Sequence, residues 1–202
     1  MKGIRIEAVA KLWSGIVALS PHKGLSASIA ILNVDALAKR SDDPKIQQFI
    51  AIVSAAVRRD PEALSNNPAK NERPFVSALA WAYFFAYMAI VSIAFASVKL
   101  LEIGTQNLGE LFAKDSIRNL LKAALPHQSE FIDRNEPNAY HYLLDEIELN
   151  LLTELQKILR GEDQDSAGIE QATRIMEMAR KLSQERTTAV EGAVAAPPPP
   201  EH

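Results

Sequence analysis

The 202-residue chain contains no cysteine. Without a thiol, the protein cannot form disulfide bonds, thiolate nucleophiles or cysteine-ligated zinc and iron–sulfur centres. A concentrated basic segment is also missing, since 22 Lys and Arg residues are outnumbered by 25 Asp and Glu residues, giving a formal net charge of -3. Nucleic-acid binding depends on a local excess of Lys and Arg that neutralises phosphates, so this balance argues against nucleic-acid partners.

The sequence also lacks the motifs of common catalytic and nucleotide-binding sites. It holds no GxxxxGK[ST] phosphate loop, no GxGxxG turn, no GxSxG nucleophile elbow and no HExxH zinc motif. We therefore predict no catalytic residues and no cofactor. No sequence motif supports a function as an enzyme.

The longest apolar run extends from Phe75 to Val98, reads FVSALAWAYFFAYMAIVSIAFASV and contains no charged residue. About 20 apolar residues suffice to cross a hydrocarbon core about 30 Å thick, so the leading interpretation is a single transmembrane helix. Arg73 precedes the run and Lys99 follows it, as expected of polar anchors at two membrane surfaces. The alternative is the central helix of a soluble bundle, because a helix that is apolar all round is also typical of a buried core.

The N-terminal part has the apolar periodicity of amphipathic helices. The first helix is predicted from Ile4 to about Leu19, and we expect Pro21 and Gly24 to end it. The run from Ser26 to Arg40 predicts a second helix from its Ala and Leu content. The apolar face of the first helix is predicted to comprise Ile4, Val9, Leu12, Trp13, Ile16 and Leu19.

A third helix is predicted to begin at Asp43 and Pro44, which supply an N-cap and a first-turn proline. Arg58 and Arg59 close it favourably against the helix dipole. The segment SNNPAKNERP that follows is too rich in Asn and Pro to be predicted as helical, and we interpret it as a polar linker.

The C-terminal part predicts a long helix from Pro137 to Arg160 and a final helix capped by Asp165 or Ser166. Between Lys99 and Pro126, apolar residues predict one or two further amphipathic helices. The main stripe of the long helix comprises Leu144, Ile147, Leu151, Leu155 and Ile158, and Leu143, Leu149, Leu152 and Leu159 widen it. The final helix places Ile169, Ala172, Met176 and Ala179 at a/d spacing, with Leu182 beside that seam.

Together these patterns predict an all-α protein of about six or seven helices around the apolar helix 75–98. We divide it into an N-terminal helical segment (1–64), a polar linker (65–74), the hydrophobic helix (75–98), a C-terminal helical segment (99–188) and a disordered Pro-rich tail (189–202). The tail carries four consecutive prolines and no apolar periodicity, which is typical of disorder.

One face of the long helix carries three potential metal ligands, His141, Asp145 and Glu148. Imidazole and carboxylate groups at this helical spacing have the chemistry of a metal site. A single helix rarely completes such a site, and no Glu-x-x-His pattern supplies ligands from a second helix. We therefore predict no metal site and interpret these residues as a solvated helix face.

The leading functional hypothesis is a non-catalytic, single-pass membrane protein. Under this hypothesis the hydrophobic helix spans a lipid bilayer, and helices 137–160 and 165–187 bind a protein partner or a second copy of the chain. The alternative is a soluble, cytoplasmic helical bundle whose buried central helix belongs to a ligand-binding, regulatory or pore-forming domain.

Overall fold

The computed structural model describes residues 2–31, 36–37, 39–40, 43–58, 67–103, 114–134, 140–162 and 166–195, and every regular element among them is a helix. The α-helices are α1 (Lys2–Ile31), α2 (Pro44–Arg58), α3 (Ala78–Ile103), α4 (Lys114–Ala124), α5 (Ser129–Arg134), α6 (Tyr140–Arg160) and α7 (Ser166–Ala195). Short 3₁₀ helices occupy Pro68–Phe75 and Pro126–Gln128. The predicted all-α bundle around one apolar helix is confirmed.

The central helix α3 begins three residues later than the apolar run and ends five residues beyond it. Its start is fixed by Ser77, whose hydroxyl oxygen accepts a hydrogen bond from the Ala80 amide at 3.1 Å. This N-cap satisfies one of the amide donors that a helix leaves unpaired in its first turn. Phe75, the first residue of the apolar run, instead ends the preceding 3₁₀ helix and is exposed.

Three long amphipathic helices, α1, α6 and α7, pack their apolar faces onto α3. Within α3, the exposed residues are Ala78, Lys99 and Ile103, all of them at or near its ends. The buried contacts that cover it come from Val9, Leu12, Ile16 and Leu19 of α1, from Leu143, Leu144, Ile147, Leu151 and Leu155 of α6, and from Ala172, Ile175, Ala179 and Leu182 of α7. The interior of the bundle is therefore built around α3.

The predicted end of the first helix at Pro21 and Gly24 is wrong, because α1 continues through both residues to Ile31. A proline inside a helix removes one backbone hydrogen bond and costs about 3 kcal/mol. Tertiary contacts stabilise α1 just beyond the proline: Pro21 itself is exposed, while His22 is buried with its ring 4.7 Å from that of Phe95 in an edge-to-face contact.

The 3₁₀ helix Pro68–Phe75 docks on α1, although the sequence predicts a non-helical linker here. Asn67 joins the two elements: its side chain donates to the Gly15 carbonyl at 3.2 Å and accepts from the Ala69 amide at 3.1 Å. The approach is so close that a Cβ atom on Gly15 would lie 2.7 Å from the Asn67 Oδ1 and 2.8 Å from the Ala69 Cβ. Glycine at this position is what lets the segment reach α1.

Two C-terminal predictions need correction. The final helix α7 continues to Ala195, so residues 189–195 of the predicted disordered tail are helical, and residues 196–202 lie outside the described part. Ala189 is buried and Val190 packs beside α3, which gives this segment a tertiary reason to stay helical. Ile169, predicted in the seam of α7, is exposed, and Ile175 is buried in the core instead.

Other predicted boundaries are confirmed. Helix α2 begins at Pro44, and the Asp43 carboxylate accepts from the Lys45 amide at 2.9 Å as an N-cap. Helix α6 ends at Arg160, followed by Gly161 in the left-handed conformation with φ 78°. The main stripe of α6 is buried as predicted, with Ile158 at its margin.

Candidate functional site

A charged cluster joins α1 to α6 beside the middle of the central helix. The Lys23 ammonium forms ion pairs with the carboxylates of Asp145 and Glu148, and its distance to the Glu148 carboxylate is 3.1 Å. Burial lowers the pKa of Lys23, but its hydrogen bonds to Asp145 and Glu148 outweigh that effect, and the net pKa is raised. Lys23 therefore keeps its charge and fixes the position of α1 against α6.

Tyr87, on the central helix, lies beside this cluster with its side chain fully buried. Within the described residues its hydroxyl makes no hydrogen bond. Burial and the charge of Glu148 raise the pKa of Tyr87 to about 12, although Lys23 opposes the shift. The phenol thus stays neutral over the physiological pH range and is a buried polar group without compensation.

The structure describes the side chains of two of the three weak metal-ligand candidates, for which the sequence predicted no metal site. Asp145 and Glu148 do share one side of α6, but Lys23 occupies the position between them that a cation would take. His141 is in α6, and its side chain lies outside the described part. Over the described ranges, no group of three or more His, Asp and Glu side chains is arranged to hold a metal ion.

A second polar cluster connects α7 to α4 and α3. The Gln171 amide donates to the Tyr83 hydroxyl at 3.2 Å and to the Ala124 carbonyl at 3.1 Å, the latter at the buried C-terminal residue of α4. Burial raises the pKa of Tyr83, and the nearby charge of Glu154 raises it further. Glu154 is itself buried and pairs with Lys157 at 2.7 Å. These bonds hold helices in register and do not form a nucleophile paired with a general base.

The side of α6 that points away from α3 presents apolar residues to solvent. Tyr142, Leu149 and Leu159 have exposed fractions of 70%, 60% and 54%, and Leu152 beside them is half-buried. We call the side comprising these four residues the outer face of α6. Isolated exposed apolar residues are normal, whereas several on one side of one helix are typical of an interaction surface.

The sequence alone identified only part of these sites. It identified Asp145 and Glu148 without Lys23, because the partner lies on a helix more than a hundred residues away. It treated Leu149 and Leu159 as an extension of the buried stripe. A heptad count along α6 would have separated the two faces.

Comparison with known proteins gives no relative: no protein-family model, no curated protein and no solved structure matches the chain.

Proposed function

We propose that this chain is a water-soluble, non-catalytic helical bundle that binds a protein partner, with α3 as its core. The observation that supports this most is the burial of the apolar helix: 78% of its most hydrophobic window is covered by other helices of the same chain. A helix covered this way already has the apolar surroundings that a bilayer would otherwise supply.

Among the described helices, α3 alone is long and apolar enough to cross a membrane, at 26 residues. Moving it into a bilayer would uncover the apolar faces of α1, α6 and α7, which now pack against it. Burying apolar surface contributes roughly 25 cal/mol per Å², so exposing three helix faces to water would be strongly unfavourable. The amphipathic helices therefore favour α3 as a core helix.

The charged cluster supports the same conclusion. Lys23, Asp145 and Glu148 lie close enough to Tyr87 to affect its pKa, and Tyr87 is near the middle of α3. If α3 crossed a bilayer with α1 and α6 still packed on it, these charges would lie near the bilayer centre. Each such charge costs about 2.5–3.5 kcal/mol on insertion scales. A water-soluble protein bears a smaller cost for this cluster, because the Asp145 side chain is 71% exposed to solvent.

The partner-binding part of the proposal is supported by the outer face of α6, where three large apolar side chains are more than half exposed. The polar clusters, in contrast, are engaged in contacts between helices. Binding through a helix surface is therefore the function we favour over catalysis.

Fractionation of cells that express the chain tests the proposal, using carbonate extraction of the membrane pellet. We expect the parent protein in the soluble fraction. Ile90→Arg, which places an unpaired charge in the core, should aggregate or unfold. The matched control is Ile52→Arg, because Ile52 is 63% exposed on α2 and its replacement should leave the protein soluble.

A carbonate-resistant parent that Ile90→Arg releases into the soluble fraction would instead establish α3 as a membrane span. That result would overturn the proposal, since an inserted helix and a core helix respond to the same charge in opposite ways.

A further inference from the structure

The outer face of α6 follows a heptad repeat. Its a and d positions, spaced alternately by three and four residues, are Tyr142, Asp145, Leu149, Leu152, Gln156 and Leu159. This is the spacing with which one α-helix packs along another in a coiled coil. Four of the six positions are apolar, and the core stripe of the same helix lies on the opposite side.

We propose that the outer face of α6 is the contact surface of a homodimer, in which two copies of the chain pack α6 against α6 in antiparallel orientation. This inference rests on the proposed function, and it names a second copy of the chain as the partner. An antiparallel pair places each a position opposite a d position of the other helix. Tyr142 then faces Leu159, and Leu149 faces Leu152.

The face is self-complementary in this orientation, as a two-fold interface requires. Reversing the helix about its midpoint exchanges Tyr142 with Leu159 and Leu149 with Leu152, so apolar residues meet apolar residues in every such layer. The remaining layer places Asp145 opposite Gln156, whose amide can donate a hydrogen bond to the carboxylate. The six positions thus form layers without an unmatched polar group.

Charge selects the antiparallel over the parallel orientation. A parallel dimer would place Asp145 directly against Asp145 of the second copy, two like charges in one layer. In the antiparallel dimer, Asp145 and Glu148 instead lie towards the basic end of the other helix, where Arg160 directly follows Leu159 of the outer face. The two helix dipoles are also opposed, which is the favourable arrangement.

The Lys23 ion pair is compatible with this interface. The Asp145 side chain remains 71% exposed while it contacts Lys23. It can therefore accept a hydrogen bond from Gln156 of the second copy and keep its partner on α1. Lys23 also offsets the carboxylate charge, which lowers the cost of covering Asp145.

The surface is small for a permanent dimer. A helix of 21 residues is about 30 Å long. One pair of helix faces of that length buries less than the about 1,600 Å² of a standard protein interface. We therefore expect a concentration-dependent monomer–dimer equilibrium and not a permanent dimer.

Sedimentation equilibrium of the full chain over a range of concentrations is the first test. The parent should dimerise, and Leu149→Lys should raise the dissociation constant by about tenfold or more, because the charge falls in the central apolar layer. Ile52→Lys is the matched control, with the same change at a residue of 63% exposure on α2. This control should dimerise like the parent.

Disulfide trapping tests the orientation, and the absence of native cysteine makes it unambiguous. In the antiparallel dimer, an oxidised mixture of Tyr142→Cys and Leu159→Cys chains should cross-link, while each variant alone should not. The two positions are about 25 Å apart along the helix, and a disulfide needs Cα atoms within about 7 Å. Cross-linking of each variant with itself would indicate a parallel pair.

A parent that stays monomeric at all concentrations, or a Leu149→Lys variant that dimerises as well as the parent, would overturn the homodimer. These results are distinct from failure of the proposed function, which is membrane retention of the parent. A soluble monomer would leave the outer face of α6 for a different protein partner and would refute self-association.

Discussion

At the scale of single residues, two tyrosines one helical turn apart on α3 have opposite environments. The Tyr83 hydroxyl has a hydrogen-bond partner in Gln171, whereas the Tyr87 hydroxyl has none among the described residues. A buried hydroxyl without a partner costs about 1–3 kcal/mol, and a satisfied one contributes about 1 kcal/mol. The same hydroxyl group therefore stabilises the fold at one position and destabilises it at the other, while both buried rings contribute to the core.

We predict that Tyr87→Phe raises the free energy of unfolding by about 1 kcal/mol, because it removes an uncompensated hydroxyl. Tyr83→Phe, the matched control, should lower it by about 1 kcal/mol. Urea unfolding followed by circular dichroism measures both variants. A loss of stability in Tyr87→Phe as large as in Tyr83→Phe would show that the Tyr87 hydroxyl has a partner after all.

The raised pKa of Tyr87 predicts that the stability of the fold depends on pH. The pKa of Tyr87 is about 12 in the folded state, compared with about 10 in an unfolded chain. Between these values the unfolded chain loses the phenol proton while the folded protein keeps it, so stability falls as pH rises. Tyr87→Phe should remove the part of the stability loss that comes from this phenol. The test compares the urea midpoints of parent and variant below about pH 10 and near about pH 11.

Gly15 and Gly24 provide a second residue-scale prediction, since both lie in α1. A Cβ on Gly15 would come within 2.7 Å of Asn67 and 2.8 Å of Ala69, whereas one on Gly24 would meet nothing within 4 Å. We expect Gly15→Ala to destabilise the protein by about 1–3 kcal/mol through overpacking. Gly24→Ala should be neutral or stabilising by up to about 1 kcal/mol, because alanine is the better helix former.

Thermal unfolding of the two glycine variants measures both changes in stability. Equal changes in stability for the two variants would mean that the 3₁₀ helix Pro68–Phe75 does not pack against α1 as closely as the distances indicate.

At the scale of elements, α6 has two apolar sides, one buried in the core and one exposed to solvent. The inner side carries the core stripe centred on Leu151, which is fully buried, and the outer side carries Leu149, which is 60% exposed. The two leucines are only two residues apart, so helix propensity and local sequence are nearly the same for both. Differences between variants at these positions therefore report tertiary packing.

Leu151→Ala should lower the free energy of unfolding by about 2–5 kcal/mol, the range for a cavity in a close-packed core. Leu149→Ala should change it by less than about 0.5 kcal/mol, as for other surface positions. Both are measured by urea unfolding at a protein concentration low enough to keep the chain monomeric. If Leu149→Ala is as damaging as Leu151→Ala, another part of the same chain covers the outer face.

At the scale of the whole molecule, the buried apolar residues of the described ranges form two clusters of unequal size. The larger cluster unites α1, α3, α4, α5, α6 and α7, and the smaller one holds α2 against the C-terminal end of α3. Four buried residues make up the smaller cluster, namely Ile50, Ala96, Leu100 and Leu101. Regions with few buried apolar contacts open at lower free energy than the main core.

We therefore predict that backbone amides of α2 exchange with deuterium faster than those of α6 between Leu144 and Leu155. Hydrogen exchange followed by mass spectrometry on the intact chain gives the comparison, with both peptides from the same sample. Equal protection in the two helices would show that the bundle opens only as one cooperative unit.

The sequence by itself determined the helical class, the apolar helix and several helix ends. Apolar periodicity is set by local geometry, so the buried stripe of α6 follows from spacing alone. The Asp43 cap and the Gly161 stop also act within a few residues of their position, where sequence is sufficient.

Tertiary structure decided what depends on partners distant in the chain. Continuation of α1 through Pro21, docking of Asn67 on Gly15 and the pairing of Lys23 with α6 each depend on a contact that no local pattern encodes. The same holds for α3: its composition is equally suited to lipid and to a protein core. Only the apolar faces of α1, α6 and α7, brought together around it, give it protein surroundings.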